Sequence, residues 1–269
     1  MTVDYIDIHS HLYFKDFDSD REEVIARMKE QGIATISIGT GLETSKQSVD
    51  LAHAHENMYA CVGMHPADVA DAYVPEEIDL LAEDPKVLAI GECGFDYFRL
   101  EGNAEEIKKA QKKVFEYQIQ LALKVGKPLM LHCRASKGSQ DAYHDTLDIL
   151  EKYHKEYGSK LSGNAHFFAG DMEVLKRFLN IGFTVSFTGV ITFTHDYDEL
   201  IRHTPLESLH AETDAPFVAP MPHRGSRNSP EYVPYVVSAI ARIKGEDEEK
   251  VKKTLISNAQ RVFRLPAER

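Results

Sequence analysis

The sequence predicts an α/β chain folded as one (β/α)8 barrel of the TIM type, a single domain over residues 1–269. Short apolar, β-branched runs recur along it, each is followed by a longer stretch with helical periodicity, and no linker or low-complexity tract interrupts the series. An open doubly wound sheet would alternate similarly, but eight evenly spread strands favour closure into a barrel.

In chain order the strands are expected at Asp4 to His9 (DYIDIH), Ile33 to Ile38 (IATISI), Tyr59 to Gly63 (YACVG), Val87 to Gly91 (VLAIG), Pro128 to His132 (PLMLH), Leu161 to His166 (LSGNAH), Phe183 to Phe187 (FTVSF) and Leu209 to Thr213 (LHAET). Helices are expected near 20–31, 43–56, 75–83, 104–125, 140–156, 171–180 and 196–203, with two more near 230–243 and 247–258. The run Glu246-Asp247-Glu248-Glu249 ahead of Lys250, Lys252 and Lys253 reads as a helix N-terminus with acids in its first turn, not as a binding tail.

Composition narrows the class. With 43% hydrophobic and 28% charged residues the chain is an ordinary globule, and 31 Lys plus Arg against 43 Asp plus Glu give a net charge of -12. That balance argues against an extended grip on duplex phosphates, which needs many cations, and leaves room for a small metal-charged site. The three cysteines, Cys61, Cys93 and Cys133, form no C-x-x-C pair and are odd in number, so a disulfide framework or zinc ribbon is not indicated and a reducing compartment is. A basic start with an apolar core is absent, as is any apolar run near 18 residues, so a cytoplasmic, non-membrane monomer is expected.

A barrel demands that chemistry sit at the C-terminal ends of its strands. Those ends here read Asp7-Ile8-His9-Ser10-His11, Gly63-Met64-His65-Pro66, Gly91-Glu92-Cys93-Gly94-Phe95-Asp96, His132-Cys133-Arg134, His166-Phe167-Phe168-Ala169-Gly170 and Glu212-Thr213-Asp214-Ala215-Pro216. In His9-x-His11 the spacing puts both imidazoles on one strand face, about 6.6 Å apart along the strand, with Asp7 on that face and Ile6 and Ile8 on the other. His53-x-His55 has the same spacing inside a predicted helix, where residues two apart diverge, and is read as structural. His144, His154, His195, His203 and His210 also lack a strand-end position and are read as surface or core groups. His9, His11, His132, His166, Glu92 and Asp214 can converge on one mouth, and six such donors exceed the needs of one tetrahedral ion, so two metals fit. Donors of this kind suit zinc, manganese or iron, with magnesium where carboxylate and water dominate. Cys93 and Cys133 each follow a donor by one position and are expected to face the other way, into packing.

The ordered motifs D-I-H-S-H, V-G-M-H-P, G-E-C-G-F-D-Y, H-C-R, H-F-F-A-G, E-T-D-A-P, R-G-S-R-N-S-P and N-A-Q-R-V-F span almost the whole chain and resemble the TatD family of metal-dependent deoxyribonucleases, within the wider amidohydrolase-like superfamily. The resemblance implies a TIM-like barrel with one or two divalent ions, Mg, Mn or Zn, and phosphodiesterase activity on DNA, typically trimming from the 3′ end. It implies that His9, His11, Glu92 and Asp214 hold one ion, that Glu92 bridges to a second held by His132 and His166, and that His65 lies near the substrate phosphate. The chain departs from the pattern at Ala67, where many relatives have a second histidine, and at Phe167 and Ala169, where Cys and Ser are common. Glu92 stands where other superfamily members often use a carbamylated lysine.

On this reading Asp214 both ligates metal and accepts the proton of the attacking water, while His65, Arg134 and Arg227 contact phosphate or leaving oxygen; for both arginines a loop salt bridge is an equal alternative. Single-stranded DNA or a 3′ end is the expected substrate, and Tyr97, Phe98 and Tyr197 are candidates for base stacking or for packing. The rivals are a hydrolase of a small amide, lactone or organophosphate, and a non-catalytic metal-containing nucleic-acid binder. Gly39-Thr40-Gly41 is followed by Thr44 where a dinucleotide fingerprint needs its third glycine, and neither a G-x-S-x-G elbow nor a Walker loop occurs.

Overall fold

The computed structural model describes residues 3–69, 76–98, 100 and 102–265. Eight strands form one sheet in the order of the chain, every neighbouring pair parallel: β1 (Tyr5–Ser10), β2 (Ile33–Ile38), β3 (Met58–Val62), β4 (Val87–Asp96), β5 (Leu129–Arg134), β6 (Gly163–Ala165), β7 (Thr184–Phe187) and β8 (Leu209–Ala211). The helices α1 (Arg21–Glu30), α2 (Leu42–Ala54), α3 (Glu76–Ala82), α4 (Ala104–Val125), α5 (Asp141–Tyr157), α6 (Met172–Asn180), α7 (Asp198–His203), α8 (Val233–Lys244) and α9 (Glu248–Phe263) lie between and after them. The expected barrel is therefore the observed one. Among the described residues no helix is long and apolar enough to cross a membrane.

Closure occurs at the top of the seam between first and last strands. Ser10 bridges Ala215, the Asp214 amide donates to the His9 carbonyl at 2.9 Å, and the His11 amide donates to the Ala215 carbonyl at 2.8 Å. The backbone bonds that shut the barrel thus belong to residues whose side chains were singled out as metal donors.

Two irregular strands depart from simple alternation. Between Asp7 and Ser10 the register against β2 shifts by one residue, and between Ile90 and Cys93 β4 shifts likewise against β5. Such bulges re-aim side chains. Asp7, expected on the face of His9 and His11, instead turns to Thr213, taking its hydroxyl at 2.6 Å and its amide at 2.9 Å. The strand expected to end at Gly91 continues to Asp96 because Gly91 (φ +153°) and Gly94 (φ +136°) let it press on β5: a Cβ at either would collide with the carbonyl oxygens of Met130 and His132 respectively. β6 and β8 stop earlier than expected, so His166 and Asp214 stand just beyond their strands.

Inside the barrel the two halves differ. Ile6, Ile8, Ile36, Ile38 and Met130 form an apolar layer against Phe263 and Leu265, which close the end opposite the mouth. The β6 to β8 side carries a polar chain instead: His210 Nε2 meets Thr184 Oγ1 at 3.1 Å, Thr184 donates to Asn164 at 3.0 Å, Asn164 donates to Ser186 at 2.7 Å, and Ser186 donates to Glu212 at 2.8 Å. Every member is bonded to the next, with only His210 Nδ1 left without a partner, and such pairing is what permits polar groups this deep.

His210 anchors that chain at the floor. Burial, reinforced by the charge of Arg261, pushes its imidazole from 6.5 down to about 3. A base with a depressed folded pKa leaves the unfolded state binding more protons, so stability is lost as pH falls below 6.5. His210→Gln keeps a donor for Thr184 and removes the titration. Urea unfolding at pH 7 and pH 5 should show the wild type losing about 2 kcal/mol more than the variant over that interval; equal losses would mean that His210 is not held neutral.

Candidate metal centre

The mouth of the barrel gathers seven of the nine site residues expected from sequence. Glu92, 3% exposed, lies at the centre and its two oxygens face different groups. Oε2 is 3.5 Å from His9 Nε2 and 4.0 Å from His11 Nε2, and Asp214 Oδ1 completes that side at 3.7 and 3.5 Å from the same two nitrogens. Oε1 is 2.6 Å from His132 Nδ1, 2.8 Å from His166 Nε2 and 3.7 Å from His65 Nε2. The sets His9–His11–Glu92, His9–His166–Asp214 and His65–Glu92–His132 each bring their donor atoms within 4.8 Å of one another.

The orientation of the rings shows what they suit. His11 Nδ1 donates to the Ile38 carbonyl at 2.9 Å, so the neutral ring presents its Nε2 lone pair toward His9 Nε2, 3.3 Å away. With neutral rings one proton at most lies between those nitrogens, carboxylate oxygens flank them, and buried His9 Nδ1 has no hydrogen-bond partner. A convergence of lone pairs with an outer carbonyl fixing the tautomer fits a cation. His65 is oriented the other way: its Nδ1 accepts the Ala67 amide at 3.1 Å, so neutral His65 carries its proton on Nε2, directed toward Glu92. It suits donating to an oxygen in the cup better than ligating an ion.

Electrostatics agree with this division. Burial alone would raise the Glu92 carboxyl, yet His166, His65 and His132 overcome it and hold it well below the carboxylate range. Burial likewise opposes ionisation of Asp214, but His11 and His9 keep it low. Burial and the nearby His132 and His166 push His65 down to about 3, so it is neutral at pH 7. His166 and His9 stack at 3.8 Å; Glu92 and Glu212 raise the former against its burial, while burial and the adjacent His166 lower the latter.

Asp214 sits at φ +55°, a conformation in which an aspartate costs less than most residues, and this turns its carboxylate back toward β1. Two amides on one face of α4, seven residues apart, pin neighbouring loops: Gln118 bonds both the amide and the carbonyl of Met64, next to His65, and Gln111 does the same for Asp96. Asp96 in turn reaches His132 Nε2 at 3.1 Å, and Glu212 takes the Phe167 amide at 2.6 Å beside His166. These four supports were not singled out from sequence. Asp96 and Glu212 stood within quoted motifs, and paired glutamines on a buried helix face were the signal for the others.

Two of the expected contacts lie outside the cup. Arg227 is engaged elsewhere: it grips Asp20 through two 2.7 Å bonds and lies over the Phe17 ring, so it is the loop salt bridge and not a free phosphate donor. Arg134 lies at the rim with its guanidinium 4.2 Å over the Phe98 ring. Tyr97 is buried with its hydroxyl on Asp145 and offers no stacking surface, while half-buried Tyr197 meets the Phe187 ring at 6.2 Å. Buried Cys93 and Cys133 turn from the cup, the latter toward Thr146. His53 pairs with Asp84 away from the site.

A family model described as TatD related DNase matches residues 6–264. A relative in Bacillus subtilis (strain 168), named the uncharacterized metal-dependent hydrolase YabD, is 36% identical over 267 residues, with 96% of this chain and 98% of that protein covered. One from Pectobacterium carotovorum subsp. carotovorum (strain PC1), named 3′-5′ ssDNA/RNA exonuclease TatD, is 34% identical over 271 residues, with 96% and 99% covered. The crystal structure of YJJV, a TatD homolog from Escherichia coli K12, superposes with a TM-score of 0.84 at 25% identity, covering 99% of this chain and all of that one (100%).

The close approach of β4 to β5 is open to direct test. Gly94→Ala places a methyl group against the His132 carbonyl at a φ that side chains avoid, and should lower unfolding stability by about 2 kcal/mol or more. Urea denaturation with wild-type stability would mean that the strands are not pressed together there.

Proposed function

The chain belongs to the TatD-related DNase family of metal-dependent hydrolases, and on that premise we propose that it is a 3′–5′ exonuclease acting on single-stranded DNA. The observation that supports this most is Glu92, whose two oxygens face separate donor sets. In this reading His9, His11, Glu92 and Asp214 hold one divalent ion, and Glu92, His132 and His166 hold the other. Bound divalent cations supply the positive charge and activated water that hydrolysis of an anionic phosphodiester requires.

The chain's own groups do the rest. Asp214 Oδ1, opposite His9 and His11, accepts the proton of the attacking water. His65, neutral and protonated at Nε2, donates to a phosphate or leaving oxygen, and its position is set by the Gln118 clamp on the adjacent residue. Asp96 holds the ring of His132 at the angle that points it to Glu92, and Glu212 places a charge 3.5 Å from His166 Nδ1. Arg134 contributes at the rim, where its charge meets the approaching phosphate chain.

Metal-stripped protein should leave end-labelled single strands intact and regain activity with Mg²⁺, Mn²⁺ or Zn²⁺, giving a ladder that shortens from the 3′ end. Turnover of small esters or lactones with none of DNA would replace this reading by the small-substrate hydrolase. Glu92→Gln and Asp214→Asn should fold yet lose roughly 10²-fold or more in kcat, and elemental analysis should find less metal in Glu92→Gln; a folded variant with full turnover contradicts the assigned role. Two or three phosphate contacts on a single strand predict a log–log salt slope of about -1.4 to -2.1, and a much steeper slope would reveal an extended basic groove.

A further inference from the structure

The rim carries two half-exposed aromatic rings, Phe217 in edge contact with the His11 ring and Phe98 beneath the Arg134 guanidinium. Phe217, 49% exposed, lies three residues after Asp214 and sets its ring 6.3 Å from that of His11 and 5.8 Å from Phe14, edge to face in both cases. Its loop is fixed: the Phe217 amide bonds the Asp214 carbonyl at 2.9 Å, and buried Asn228 bonds the carbonyls of Phe217 at 2.6 Å and Thr213 at 2.8 Å. Phe98, 42% exposed, donates its amide to Asp96 Oδ1 at 3.0 Å, the same carboxylate whose other oxygen reaches His132. Arg134 lies over the Phe98 ring. Phe217 follows β8 and the Phe98–Arg134 pair follows β4 and β5, so the two stand on opposite arcs of the eight-stranded barrel with Glu92 between them.

A half-exposed ring set beside the cup offers an apolar surface to a flat ligand. We infer that Phe217 and the Phe98–Arg134 pair form a two-sided stacking clamp for unpaired nucleobases, one on each side of the phosphate to be cut. The inference rests on the nuclease reading and deepens it by naming how the substrate is held. A ring face stacks on any base, which gives grip without sequence choice, and only a base out of a duplex offers its face. The guanidinium adds charge where the strand's phosphates pass. Because each platform is coupled to a donor, one through contact with His11 and the other through Asp96 and His132, the base planes are held in register with the reacting phosphorus. Paired ends should be cut poorly for the same reason.

Steady-state cleavage of single strands that carry either normal bases or abasic residues at the two terminal positions tests this. Phe217→Ala should raise KM about 5- to 150-fold on base-bearing strands with little change in kcat, because stacking holds ground and transition states alike. On abasic strands the same substitution should have no effect. Phe217→Leu, which keeps apolar cover over Phe14 and His11, should behave like the alanine variant, whereas Phe217→Trp should restore the wild-type KM. Phe98→Ala should act in the same direction at the other position. As a readout independent of turnover, 2-aminopurine near the end of a phosphorothioate-blocked strand should be quenched by wild-type protein and not by Phe217→Ala. Wild-type KM in Phe217→Ala, full function in Phe217→Leu, or equal loss on abasic strands would each overturn the clamp. A wild-type protein that cuts no strand of any kind would instead overturn the nuclease reading.

Discussion

A single buried carboxylate organises the mouth of the barrel. Glu92 is nearly inaccessible, and burial opposes its ionised form, yet the histidines around it reverse that penalty and keep it charged. Charge in a site this dry is tolerable only when compensated on every side. The compensation explains the local backbone: the bulge in β4 turns Glu92 inward, and glycines at 91 and 94 let the strand lie close enough to β5 for His132 to reach it. Asp96 then holds the outer edge of His132 and Glu212 lies 3.5 Å from that of His166, so the cup is a layered arrangement of carboxylate, imidazole and carboxylate.

The remaining charges of this acidic chain are distributed in keeping with a small footprint. Several of its arginines are engaged in local pairs, Arg227 with Asp20, Arg177 with Glu151 and Asp148, and Arg27 with Glu231. Exposed pairs of this kind add little stability, but they occupy three of the cations that could otherwise meet a polyanion. The interior mirrors this economy: apolar packing fills the β1 to β5 side and floor, while the polar chain from His210 to Glu212 leads up to His166.

Much of this was legible in the residue order because barrels write their chemistry at regular places. Strand runs such as IATISI announce themselves, and donors one or two residues past such runs need only closure to meet. What stayed hidden depends on departures from regularity. Asp7 has the spacing of His9 and His11 but not their direction, because a bulge of one residue lies between them and spacing alone does not reveal it. Arg227 lies in a motif that resembles a binding loop, yet its fate is set by Asp20, some two hundred residues earlier in the chain, a pairing that no local pattern encodes. The buried face shared by Gln111 and Gln118 marks them, but the backbone they clamp, at Asp96 and Met64, is not encoded locally, and Phe217 looks like core until its exposure is seen.

The seam between β1 and β8 has a bearing on how the protein comes into being on the ribosome. The donors on the Oε1 side of Glu92 come from the middle of the chain, whereas the Oε2 side needs His9 and His11 from its beginning and Asp214 from near its end. The amide bonds that unite those ends are the ones that seat Asp214. During synthesis a nascent chain can assemble one half of the centre and must wait for the last strand to gain the other. Ions that need both halves have nothing complete to seize until β8 is in place, so tight capture rewards the closed barrel and does not trap a partial one.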